Sequence, residues 1–208
     1  MSTRTALTLS ALAAFGLVLT GCVSKADHET ATGPPTASAP SPTSTATGPP
    51  APSITSPEKA VNAYLNYVDV RNEVGQDYYR DWQTKYLPLT TGEEMASVSD
   101  GVPRSVAQGY HWVGSIVVKT IPEVVDYDDT DPAGFYRAEM RACVDTSDVE
   151  FVSEGLNIIR ATPDGRYYDK VVMRRIVNCD ADGNVLPDPY GQGWWRVDSE
   201  HGDPEQPC

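Results

Sequence analysis

Basic residues are scarce in this chain. Sixteen Lys and Arg stand against 29 Asp and Glu, a formal net charge of −13, and no basic block interrupts the acidic excess. Each phosphate contact needs a cation that displaces a counterion, so nucleic acid and bare anionic lipid are poor partners. Histidine is scarcer still. Of the three, His28 falls in a low-complexity stretch and His201 near the C-terminus; His111 is left alone at a strand start, where it reads as structural. No His-x-x-x-His pair, Gly-x-Ser-x-Gly elbow, P-loop or Gly-x-Gly-x-x-Gly turn is present. The acidic run Asp126, Asp128, Asp129 and Asp131 lacks the glycine and distal glutamate of a calcium loop and reads as a solvated hairpin tip, as does the loop from Asp180 to Asn184. We therefore expect no metal or cofactor, and assign no catalytic residue.

The N-terminal uncharged run, residues 6–19, is shorter than the roughly 20 residues a membrane span needs. Preceded by Arg4, it has the pattern of a signal peptide covering residues 1–21. Directly behind it, Leu19-Thr20-Gly21-Cys22 resembles the bacterial lipobox. That resemblance implies a diacylglyceryl thioether on Cys22, cleavage before it, and a lipid anchor on the extracytoplasmic face of the cell membrane, each buried methylene contributing about 0.8 kcal/mol. Residues 22–56 then hold Pro, Ser, Thr, Ala and Gly and almost nothing to bury, which predicts a disordered tether. Its reach is about 105 Å as polyproline and roughly 30 to 35 Å as a coil. The charge sits beyond it: residues 57–208 carry 14 cations and 27 anions, a net −13.

This head reads as α+β. Ser56-Pro57 opens a helix with Val61, Tyr64, Leu65 and Val68 on one stripe; Gly75 should break it. Asp77 should cap a shorter helix carrying Tyr78, Tyr79, Trp82 and Tyr86. Thr91 and Glu94 fit a capping box for residues 93–98, with a further turn over residues 103–108. After Gly109 the period becomes two. Strands are expected over residues 111–127, with Pro122 at an edge or bulge, then 135–145, 149–152, 167–178 and 194–198. Helices first and antiparallel strands afterwards implies helices packed on one face of a curved sheet. With Ala142-Cys143-Val144-Asp145 ending one strand and Gly193-Trp194-Trp195-Arg196-Val197 forming the last, this order resembles the nuclear transport factor 2-like (ketosteroid-isomerase-like, SnoaL-like) domains of actinobacterial secreted proteins. Such domains form a cone that hosts enzymes, ligand binders and scaffolds, and often pair through the outer sheet face; here Arg137, Glu139 and Arg141 would make a homodimer contact polar.

In a simple meander Cys143 and Cys179 lie at opposite ends of a strand, roughly 33 Å apart, beyond the reach of a disulfide. A Cys143–Cys208 bridge is expected, with Cys179 free or paired between molecules; a different topology makes Cys143–Cys179 the alternative. Eleven Tyr and four Trp against three Phe suit a pocket or interface as well as a core. The mouth of the cone should be lined by Tyr64, Tyr67, Trp82, Tyr86, Trp112, Tyr136, Met140 and Trp195. Isomerase chemistry needs a buried carboxylate, and the one mid-strand carboxylate that stands out, Glu139, alternates with arginines on the polar face. The sequence thus favours a lipid-anchored, non-catalytic binding or accessory module with an envelope protein as partner. The alternative is a pocket that binds or isomerises a small apolar ligand.

Overall fold

The computed structural model describes residues 56–131, 135–153, 155, 158–160, 165–180 and 184–208. The expected signal segment, Cys22 and nearly all of the tether lie outside the described residues. Helix α1 spans Pro57–Gln76 with Pro at its first turn, although Ser56 makes no side-chain cap. It runs through Gly75, the expected break. A Cβ at that position would lie 2.7 Å from Cδ2 of Trp112, so this glycine serves close packing of helix against indole and not termination.

The chain then turns through three non-glycine residues at positive φ, Tyr78, Tyr79 and Asp81. That left-handed stretch is incompatible with the expected second helix, which shrinks to α2, Trp82–Lys85, followed by a 3-10 turn over Leu87–Leu89. The two short helical stretches expected next are one helix, α3, Gly92–Ala107, which contains Pro103 at the cost of one helical hydrogen bond. Thr91 makes no side-chain cap. Glu94 is 9% exposed and turns inward to Tyr67, so the expected capping box does not close.

Among the described residues eight strands follow: β1 His111–Val113, β2 Val117–Val118, β3 Glu123–Asp128, β4 Arg137–Asp145, β5 Glu150–Val152, β6 Ile158–Arg160, β7 Arg166–Arg175 and β8 Trp195–Asp203. The expected long strand over residues 111–127 is therefore three. Gly114 bends the chain at φ 83, where a Cβ would meet the Asp148 carbonyl oxygen at 1.8 Å, and Pro122 stands just before β3. β2 and β3 pair with opposite halves of β4, and the main sheet continues β4-β7-β8, antiparallel throughout. β1, β5 and β6 form a small separate antiparallel sheet. The molecule is α+β, with helices packed on an antiparallel sheet. Ala138, Met140, Ala142 and Val144 of β4, with Val171 and Met173 of β7, face the helices and are at most 1% exposed. Arg137, Glu139 and Lys170 form ion pairs on the opposite face.

Strand register in the main sheet places both the disulfide and the inner face of β8. Cys143 is opposite Tyr168, which is opposite Asp203, so the last five residues carry Cys208 back to Cys143. The two are disulfide-bonded, with Cα atoms 5.8 Å apart. Cys179 is disulfide-bonded as well, which corrects the free alternative expected for it; with a lipidated Cys22 its partner would lie in a second molecule, and no free cysteine is present among the described residues. On β8, Val172 pairs with Ser199 but Met173 pairs with Val197. Asp198 is thus an extra residue in the strand, and the bulge shifts the side-chain parity beyond it.

Candidate functional site

Because of that bulge, Val197 and Glu200, three residues apart, point to the same inner face. β8 is also longer than expected, ending at Asp203, so Glu200 lies within paired strand. Asp169 of β7 shares the inward parity of Tyr167, Val171 and Met173, and is 3% exposed. The chain therefore buries carboxylates on the helix-facing side of the sheet, contrary to the expectation that Glu139, on the polar face, was the one mid-strand carboxylate to stand out. For Asp169 a signal existed in the alternation of Tyr167, Asp169, Val171 and Met173. For Glu200 none did, since simple alternation from Val197 places it outside.

Tyrosines and one arginine meet these acids. Tyr64 Oη donates to Glu200 Oε1 at 3.0 Å, and Tyr67 Oη donates to Glu94 Oε1 at 2.6 Å. Tyr86 Oη is 3.2 Å from Glu94 Oε1 and 3.1 Å from Tyr67 Oη. Arg71 Nη1 donates to Glu200 Oε2, and its guanidinium carbon lies 5.9 Å and 5.5 Å from the ring centres of Tyr67 and Trp112. All of these helical partners come from one face of α1, at Tyr64, Tyr67 and Arg71, a spacing of three and four residues.

Three carboxyls face one guanidinium, so they do not ionise alike. Burial opposes the charge on Glu200. Arg71 outweighs it, helped by hydrogen bonds from Asp169, Tyr64 and Tyr67, and holds Glu200 below the usual glutamate range. Burial, then the adjacent Glu200 charge and a hydrogen bond to it, pushes Asp169 up to about 9, so at neutral pH it is a carboxylic acid. Burial also raises Glu94, against the pull of Arg71. Glu200 is thus the acid that Arg71 holds ionised.

Beside the cluster lies a cavity of about 190 Å³, lined by Arg71, Trp112, Phe151, Tyr167, Asp169 and Glu200 among others. Asp169 Oδ1 is buried with no hydrogen-bond partner. Of the residues expected at the mouth, the structure brings Tyr64, Tyr67 and Tyr86 into the acid cluster and Trp112 to the cavity wall. It does not bring the others there. Met140 and Trp195 are fully buried core, Trp82 packs on the outside of that core, and the Tyr136 ring lies 5.4 Å from the Arg175 guanidinium. His111 stacks on Tyr78, ring centres 4.2 Å apart. Among the described residues no group of three or more potential ligands could hold a metal ion, and no helix is long and apolar enough to cross a membrane.

No protein-family model matches this chain, and no curated protein matches it. Among solved structures, it is similar to the periplasmic domain of DotI, with TM-score 0.41 and 11% identity over 71% of this chain and 91% of that one. It is also similar to a periplasmic fragment of TraM, with TM-score 0.39 and 8% identity over 71% of this chain and 97% of that one.

Proposed function

We propose that the chain is a lipid-anchored lipoprotein on the extracytoplasmic face of the cell membrane, carrying a non-catalytic binding or accessory head of nuclear transport factor 2-like form. The apolar run before Leu19-Thr20-Gly21-Cys22 supports the anchor, the composition of residues 22–56 supports a tether, and the Cys143–Cys208 bridge suits an oxidising compartment. One observation carries the role of the head. The tyrosine hydroxyls of the acid cluster are occupied by the protein's own carboxylates, and the cavity beside that cluster is about 190 Å³, below the roughly 300 Å³ at which pockets for drug-sized ligands begin.

The anchor is tested by detergent phase separation of the full chain produced in a bacterial host, with mass analysis of its N-terminal peptide. The wild type should enter the detergent phase with an acylated Cys22, and Cys22→Ser should stay in the aqueous phase. A wild-type protein in the aqueous phase, or a peptide map joining Cys22 to Cys179, refutes the anchor. A second reading, a pocket that isomerises a small ligand, is favoured by Asp169 and Glu200, neighbouring acids pushed to opposite protonation states, the arrangement acid–base catalysis uses. A lipid-sized adduct retained in native mass spectrometry would favour that reading.

A further inference from the structure

We propose that the cavity of about 190 Å³ between α1, the small sheet, β7 and β8 is a binding site for a small organic cation. The ligand would carry an ammonium or amidinium group, received by Asp169 and Glu200, on a short apolar body held against Trp112 and Phe151. This deepens the reading of the head as a binding module and does not depend on the anchor.

The orphan oxygen is the starting point. Asp169 is among the residues lining the cavity and is buried, and its Oδ1 has no hydrogen-bond partner, a costly state unless something outside the chain supplies a donor. The charge of the ligand follows from the partners already taken. Arg71 is bound to Glu200 and lies near two aromatic rings, so the cation of the cluster is already engaged by one acid. Asp169 has no cation of its own. An ammonium ion entering the cavity provides one and lets Asp169 ionise. An anionic ligand would instead meet two acids. The walls suit the apolar body: Trp112 and Phe151 both line the cavity and meet edge to face, ring centres 5.5 Å apart. The net charge of −13 steers cations toward the head. A volume of this size would otherwise hold about six waters, so the ligand is of metabolite-fragment size and not a lipid.

Binding should expel one proton from Asp169, which interacts electrostatically with Glu200 from β8, Arg71 and Tyr64 from α1, Tyr167 from β7 and Glu94 from α3. Affinity should therefore rise with pH by up to about tenfold per unit between pH 6 and 8. The test uses the full chain in non-ionic detergent and three probes of matched shape: butylammonium, butanol and butyrate. Binding is followed by the indole N–H resonance of Trp112, assigned with Trp112→Phe. We expect saturable binding of butylammonium at least about tenfold tighter than of butanol or butyrate, in the millimolar range proper to so few atoms. Calorimetry in two buffers of different ionisation enthalpy should show close to one proton released per cation at pH 7, and Asp169→Asn should abolish both effects. Butanol or butyrate binding as tightly, no saturation below about 100 mM, or cation binding without proton release overturns the proposal. Should Asp169→Asn not fold, the wild-type proton count still decides. An unmodified Cys22 would sink the anchor and leave this experiment standing; waters alone in the cavity would do the reverse.

Discussion

Asp169→Asn should stabilise the protein at neutral pH, although it alters a buried residue that hydrogen-bonds in the core. In the unfolded chain an aspartate titrates near about 3.9, whereas in the fold Asp169 is pushed up to about 9, first by burial and then by Glu200. Between those values the folded state holds a proton that the unfolded state has released. Asp169 thus favours folding fully only below about pH 4, and that contribution is lost as pH rises toward 9, with a slope of up to about 1.4 kcal/mol per unit. At pH 7 the accumulated loss has an upper bound of about 4 kcal/mol. Asparagine does not titrate. Its amide N–H can donate to Glu200 as the carboxyl proton does, and its carbonyl oxygen can take the place of Oδ1. The variant should match or fall below the wild type near pH 4.5 and exceed it increasingly up to pH 8, with a difference in Tm of roughly 10 °C near neutrality. Urea unfolding of both proteins at half-unit steps from pH 4.5 to 8.5 measures this. Glu200, whose pKa is lowered, stabilises above its unfolded pKa and loses that contribution as pH falls, in both proteins alike. Parallel stability curves for wild type and variant would show that Asp169 titrates normally and refute the reasoning.

Arg71→Met removes the one cation facing Glu94, Asp169 and Glu200, and should cost about 3 to 5 kcal/mol at pH 7 in chemical denaturation, less at pH 5, where Glu200 can take up a proton instead. Gly75→Ala gains about 1 kcal/mol of helix propensity but sets a methyl 2.7 Å from the Trp112 ring; overpacking costs about 1 to 3 kcal/mol, so Tm should fall by a few degrees, and a rise would show that the indole has room to move. Replacing Cys143 and Cys208 together with Ser opens a 65-residue loop and should cost about 4 kcal/mol in the chain-entropy account, read as a lower urea midpoint; an unchanged midpoint under non-reducing conditions would contradict it.

Periodicity carried the fold a long way. The inward set Ala138, Met140, Ala142 and Val144 is written in strict alternation, and the start of α1 in Ser56-Pro57. The elements that departed from expectation did so where a distant group overrides a local signal. Gly75 reads as a helix breaker until the Trp112 ring is placed against it. Residues 77–86 carry a helical pattern, yet the backbone at Tyr78, Tyr79 and Asp81 is left-handed. Glu94 looks like a cap and is instead drawn to Tyr67 and Tyr86. The tyrosines of α1 and Tyr86 were legible as site candidates because their types and helical spacing are local; the acids they bind were not.

The amino-acid sequence by itself determined the α+β order, the faces of α1 and β4, and the excess of negative charge, because period, turn residues and composition act over a few neighbours. Only the tertiary structure decided between the two pairings open to Cys143, brought Asp169 and Glu200 into one buried site, and set Arg71 to neutralise just one of them. Those facts hang on strand register and on one extra residue at Asp198. Register is set by the packing of the whole sheet against the helices, and a shift of one position turns every later side chain to the other face.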